Sequence, residues 1–282
     1  MSDVLARPPG AGSPYGLRLP RLGNVDAVGL EEHAAAVGSL AVEGASRLRV
    51  LELAVGLLEV TACDATATPG SLRDVCARAA RPGPGVPAVA AVCVRPALVP
   101  LCCHRLDGAG VSVASLVPAG DAGRVAELGA DEVEIELDAA ALLAGRYAHI
   151  VDRVARAKSE VGGAPLTVIV GTAELGGYDV VRRAALLAIV AGVDFVAAAP
   201  ASLPAALCVL EALRDVRDET GHVVGFKASG GLRTTEQAVQ QLALVHETLG
   251  PEWLAPGRYR LGASDRLLDE LVRELRAGAA NV

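Results

Sequence analysis

Apolar positions along the chain fall into short runs that alternate with longer amphipathic stretches. Runs rich in Val, Leu and Ala at 57–61, 88–94, 111–117, 132–137, 166–171, 195–199, 223–229 and 259–263 read as eight strands. Between them, 71–80, 139–161, 177–191, 203–220 and 234–249 carry apolar side chains at helical spacing in an Ala/Leu/Arg/Glu-rich background. Thr234 and Gln237 have the spacing of a capping box. Strict alternation implies parallel strands joined by helical crossovers. Eight such units within about 230 residues predict an α/β fold, a (β/α)8 TIM barrel with an N-terminal helical extension. An open doubly wound sheet is the alternative. Barrel strands buried on both faces are expected to read as continuous apolar runs. The link at 121–128 has room for barely two helical turns, so one outer helix should be short. Residues 1–28, with several Pro and Gly and no period, read as a loosely ordered arm, and 29–282 as one barrel domain with N-terminal helices.

Composition narrows the partners. The chain has 282 residues, 52% of them apolar and 21% charged, which argues against disorder. A net charge of −7 does not suit neutralisation of phosphates, and 2% aromatic residues leave few rings for base stacking, so no nucleic-acid partner is expected. No apolar stretch reaches the ~20 residues of a membrane span, and none near the start resembles a signal. The six cysteines lack metal-ligand spacing and read as buried thiols. A cytoplasmic, soluble protein without membrane partner, metal or cofactor is the expectation.

Active sites of barrels lie at the C-terminal ends of the strands. There are only two lysines, Lys158 and Lys227. Lys158 lies on a charged helix. Lys227 interrupts an apolar strand, where an ammonium is costly to bury alone. It is either a side chain snorkelling to the rim or an amine whose pKa is lowered for carbonyl chemistry. Glu134 and Glu136 share one face of their strand, and Glu59 sits within Leu-Leu-Glu-Val-Thr. If that face is interior, a carboxylate there needs a cation, and Lys227 is the candidate; otherwise the face meets water. Gly230, Gly231, Gly262 and Ser264 end the seventh and eighth strands, the usual phosphate corner of a barrel, although glycines also serve plain turns.

These residues carry a resemblance. Val224-Gly-Phe-Lys-Ala-Ser-Gly-Gly-Leu-Arg-Thr234 resembles the seventh-strand motif of 2-deoxyribose-5-phosphate aldolases. Ala90-Ala-Val-Cys-Val-Arg-Pro96 resembles the second strand, Gly129-Ala-Asp-Glu-Val133 the opening of the fourth, and Ala191-Gly-Val-Asp-Phe-Val196 the approach to the sixth. Leu249-Gly-Pro-Glu-Trp-Leu-Ala-Pro256 and Tyr259-Arg-Leu-Gly-Ala-Ser264 resemble the longer, animal-type members. The likeness runs in register from about residue 45 to 276. It implies a metal-free class I aldolase that cleaves 2-deoxyribose 5-phosphate to acetaldehyde and glyceraldehyde 3-phosphate through a lysine Schiff base.

The resemblance also marks departures. The family's nucleophilic lysine stands in a Lys-Thr-Ser-Thr-Gly motif, where this chain has Ala197-Ala-Ala-Pro-Ala201. The family's two aspartates correspond to Glu134 and Glu59, and its second lysine to Lys227. Asp265 ends the phosphate motif with a carboxylate, and like charges ~4 Å apart repel by roughly 4 kcal/mol at an effective dielectric of ~20. Lys227 facing two lengthened carboxylates is expected to be held charged. Cys93 matches a cysteine near the family's site and reads most simply as a small buried hydrophobe.

Three functions are consistent with these features. One is a non-catalytic paralogue that pairs with an active aldolase subunit, or with itself as a dimer. Another is an active aldolase with Lys227 as nucleophile, acting on a small sugar phosphate. The third is a cavity reused for a neutral or cationic ligand.

Overall fold

A computed structural model describes residues 24–40, 43–64 and 68–279. Eight parallel strands, β1 (Leu58–Ala62), β2 (Ala91–Val94), β3 (Ser112–Leu116), β4 (Glu132–Glu136), β5 (Leu166–Gly171), β6 (Phe195–Ala199), β7 (Gly225–Ser229) and β8 (Tyr259–Ala263), close into a barrel in sequence order. All eight lie within the expected runs or overhang them by one residue, and the open sheet is excluded by the β1–β8 pairing of Glu59 with Gly262.

The helices follow the pattern with two instructive differences. The expected helix at 139–161 is two, Ala139–Leu143 and Tyr147–Glu160, separated at Gly145, whose φ of 72° is left-handed. A helix at Val99–Leu106, with Pro100 in its first turn, packs on β2 and β3 where the sequence pattern shows no helical period. The third crossover is short, as its length required: a 3₁₀ turn at Ala119–Asp121 and a helix at Ala122–Glu127. Thr234 and Gln237 form the capping box at the start of Thr235–Leu249.

Two helices precede the barrel. Ala27–Gly38 starts inside the stretch expected to be a loose arm, capped by Asp26, whose carboxylate accepts from the Gly29 N–H at 3.1 Å. Residues 1–23 of that stretch lie outside the described residues. The second helix, Gly44–Gly56, is tied to the last two outer helices by Arg47, which bonds Glu274 at 2.5 Å and Glu236 at 3.1 Å.

Register and alternation sort the strand residues into two faces. Val60, Val92, Val113, Ile135, Val168, Val196, Phe226 and Leu261 point outward into the apolar layer under the helices. Glu59, Cys93, Ala114, Glu134, Thr167, Ala197, Lys227 and Gly262 point inward. The expectation of strands apolar on both faces is therefore corrected. The outer face is apolar, while the inner face mixes small residues with long charged ones, and the small residues leave the width those chains occupy.

Gly225 faces the ring of Phe195 across the β6–β7 pair, and a Cβ there would collide with the ring edge and approach the Arg258 carbonyl at 3.0 Å. Gly225→Ala is expected to cost about 1–3 kcal/mol by overpacking. Urea denaturation should register this as a lower midpoint at unchanged slope.

Candidate active site

Lys227 lies midway along β7 and is wholly buried. Its side chain extends into the barrel, where Nζ donates to Glu134 Oε1 at 2.6 Å, Glu59 Oε2 at 2.8 Å and Glu132 Oε2 at 3.1 Å. Arg260, inward on β8, donates from Nη2 to Glu132 Oε1 at 2.8 Å and from Nε to the Pro256 carbonyl at 2.6 Å. The Lys227 ammonium also lies 5.4 Å from the centre of the Phe195 ring. One network thus joins β1, β4, β7 and β8 through the middle of the barrel.

The fourth strand's contribution differs from the pair read from its sequence. Glu134 and Glu136 do share a face, but Glu136 is exposed at the strand end, and Glu132, one pleat deeper, takes the second place in the network. Glu132 has the same parity, and Arg260 interrupts an apolar strand just as Lys227 does. Both signals are present in the sequence.

Three carboxylates face two cations, so the cluster carries one excess negative charge when fully ionised. Burial foremost, then the Glu134 charge, pushes the Glu59 carboxyl up to about 7 against the attraction of Lys227. Burial would raise Glu132, but Lys227 and Arg260 outweigh it and hold that carboxyl below its ordinary value. Burial alone would lower the Lys227 amine, yet Glu134, Glu59 and Glu132 together hold it well above its ordinary value. A proton on Glu59 below about pH 7 therefore neutralises the network. Glu59, Cys93 and Glu134 also bring a thiol and two carboxylates within 4.8 Å of one another, and both carboxylates already bond the ammonium.

Ala197 is buried on β6 directly beside Lys227 in the β6–β7 register. Beyond it the chain turns through Pro200, and the Ala201 N–H donates to the Ser229 carbonyl at 3.0 Å, laying this turn against the end of β7. The glycines converge: Gly230, at φ 70°, donates from its N–H to the Gly262 carbonyl at 3.2 Å, and Gly231 follows at φ 84°. Ser264 is exposed at the head of the helix Asp265–Ala279. Asp265 forms an ion pair with Arg78 of the helix Pro69–Ala80, and Arg78 also bonds Asp269 at 2.8 Å. Its charge is thus offset by a guanidinium, which reduces the repulsion expected of an unpaired carboxylate.

The arrangement is a barrel with a lysine between carboxylates and a glycine corner on β7 and β8. A protein described as a putative deoxyribose-phosphate aldolase from Caenorhabditis elegans is 31% identical over 240 residues, 77% of this chain and 79% of the relative. The chain belongs to the deoxyribose-phosphate aldolase family. The deoxyribose-phosphate aldolase of Mus musculus is 37% identical over 206 residues, and that match spans 66% of this chain and 64% of the mouse protein. Among solved structures, a putative deoxyribose-phosphate aldolase from Toxoplasma gondii superposes with a TM-score of 0.73 at 25% identity, covering 82% of this chain and 98% of that one. No protein-family profile matches the chain.

Two outcomes follow from the network. Lys227→Met leaves buried carboxylates short of a cation and is expected to destabilise the family barrel by about 3–5 kcal/mol in chemical denaturation. Glu59 binds its proton more tightly folded than unfolded, so its contribution is complete below about pH 4.5 and is lost as the pH rises to about 7. Across that interval the loss amounts to roughly 3 kcal/mol. Glu59→Gln should abolish that fall, and stability measured at pH 5 and pH 8 in both proteins checks it.

Proposed function

We propose that this chain is a deoxyribose-phosphate-aldolase-family barrel that does not perform Schiff-base turnover. A class I aldolase needs an amine that is neutral part of the time and reachable by a carbonyl carbon. The observation that carries the reading is the state of Lys227: wholly buried, bonded to three carboxylates within 3.1 Å, and held protonated. The residue paired with it on β6 is Ala197, whose methyl group has no lone pair to offer. On this reading Glu59 and Glu134 retain a charge-balancing role toward Lys227, and the glycine corner of Gly230, Gly231, Gly262 and Ser264 is a remnant of phosphate binding with Asp265 locked to Arg78.

The reading in which Lys227 is itself the nucleophile would require it to shed its proton and two or more partners before each turnover. Nothing in the cluster offers it another environment.

Incubation with acetaldehyde or 2-deoxyribose 5-phosphate, followed by borohydride reduction and mass spectrometry, decides the matter. The expected result is no reduced adduct and no release of acetaldehyde. An adduct mapped to Lys227 would overturn the proposal. Ala197→Lys places an amine next to Lys227, whose positive charge depresses the newcomer's pKa. That variant is expected to yield an adduct at position 197 under the same conditions.

A further inference from the structure

Two pairs of thiols stand close together. Cys76 on the helix Pro69–Ala80 and Cys102 on the helix Val99–Leu106 are 3.7 Å apart, sulfur to sulfur, and both are buried. Cys63 and Cys93 are 3.6 Å apart at the C-terminal ends of β1 and β2. This second pair is unequal. Cys63, the first residue past β1, is partly exposed, whereas Cys93 is buried and its thiol lies 3.8 Å from Glu134 Oε2. The Cys63 thiol also lies 3.4 Å from the Cys93 carbonyl, which draws it toward β2.

We infer that Cys63 and Cys93 form an oxidisable dithiol at the barrel mouth, which hydrogen peroxide converts to a disulfide, with Cys63 the thiol oxidised first and Cys93 its resolving partner. The inference stands whether or not the barrel turns over a sugar phosphate.

Accessibility sets the order of events. The hydrogen bond to Cys63, burial and the Glu134 charge keep Cys93 protonated well above the ordinary thiol range, so it does not meet the oxidant first. Cys63 sulfur attacks one peroxide oxygen. The O–O bond breaks, the hydroxide released takes the thiol proton and leaves as water, and Cys63 becomes a sulfenic acid. Cys93 sulfur then attacks Cys63 sulfur and the S–O bond breaks. The Cys93 proton passes to the Glu134 carboxylate and from there to the departing hydroxide, giving a second water. Two thiols are oxidised by two electrons in total and one hydroperoxide is reduced. The sulfurs must close from 3.6 Å to the ~2.0 Å of a disulfide. Cys63 lies beyond the last strand pairing of β1, at Ala62 and Val94, so its backbone is not held by the ladder. The bond would pin the ends of β1 and β2 and withdraw the Cys93 sulfur from Glu134.

The test uses the full chain, reduced and desalted, then titrated with hydrogen peroxide. Free thiols are blocked with N-ethylmaleimide in denaturant, and the digest is mapped by mass spectrometry. The expected first product is the Cys63–Cys93 linked peptide, formed about tenfold faster than any Cys76–Cys102 link and reversed by dithiothreitol. Cys93→Ser should divert Cys63 to sulfinic acid at the same peroxide dose, and Cys63→Ser should protect Cys93. Sulfinic acid on Cys63 of the unmutated chain with Cys93 still free, equal formation of both links, or no thiol change would each overturn the inference.

Discussion

The central constraint is the charge network crossing the inside of the barrel. Lys227 on β7 reaches Glu59 on β1 and Glu132 and Glu134 on β4, while Arg260 on β8 meets Glu132 from the far side. Most barrels fill this space with branched aliphatic layers. Here the inner face near the network carries Ala114, Ala197 and Gly262, whose small side chains leave room for glutamate, lysine and arginine chains to meet. Burying such charges costs several kcal/mol each, and only mutual pairing offsets it. The charges are therefore interdependent: each is tolerable because its partners are present.

On the proposed reading, that interdependence separates the family resemblance from the family's chemistry. A retained lysine serves an aldolase only when its neighbours leave its proton negotiable. Here β6 presents Ala197 beside Lys227, and the carboxylates are a methylene longer than the aspartates the resemblance implies. The same ammonium that could assist catalysis elsewhere becomes the counter-ion that keeps the core neutral, with the proton on Glu59 making up the difference.

Much of this was legible in the sequence. Eight apolar runs separated by helical stretches predicted the closed parallel barrel, because strand burial imposes its pattern whatever lies inside. Lys227 and Glu59 stand out as charges in apolar strands; the cost of burying a lone carboxylate pairs the Glu134 face with Lys227, while the place of Glu59 beside it follows from the family resemblance. Glu132 and Arg260 were harder to assign. Glu132 lies at the strand's first position, where a charge commonly meets water, and the depth of a residue along the barrel axis depends on strand stagger that no single strand reveals. The break at Gly145 and the helix at Val99–Leu106 were missed because periodicity persists across one glycine and is obscured by prolines. The two close thiol pairs depend on three-dimensional approach between distant segments, to which spacing along the chain is blind.

Arg78 has a consequence for how the cylinder is sealed. It belongs to the helix that follows β1, and its partners Asp265 and Asp269 to the helix that follows β8, so it bridges the first and last repeats, the one junction with no peptide connection across it. In this chain the carboxylate that follows Ser264 therefore lends its charge to the seam between the two ends of the ring, beside the β1–β8 ladder that closes it.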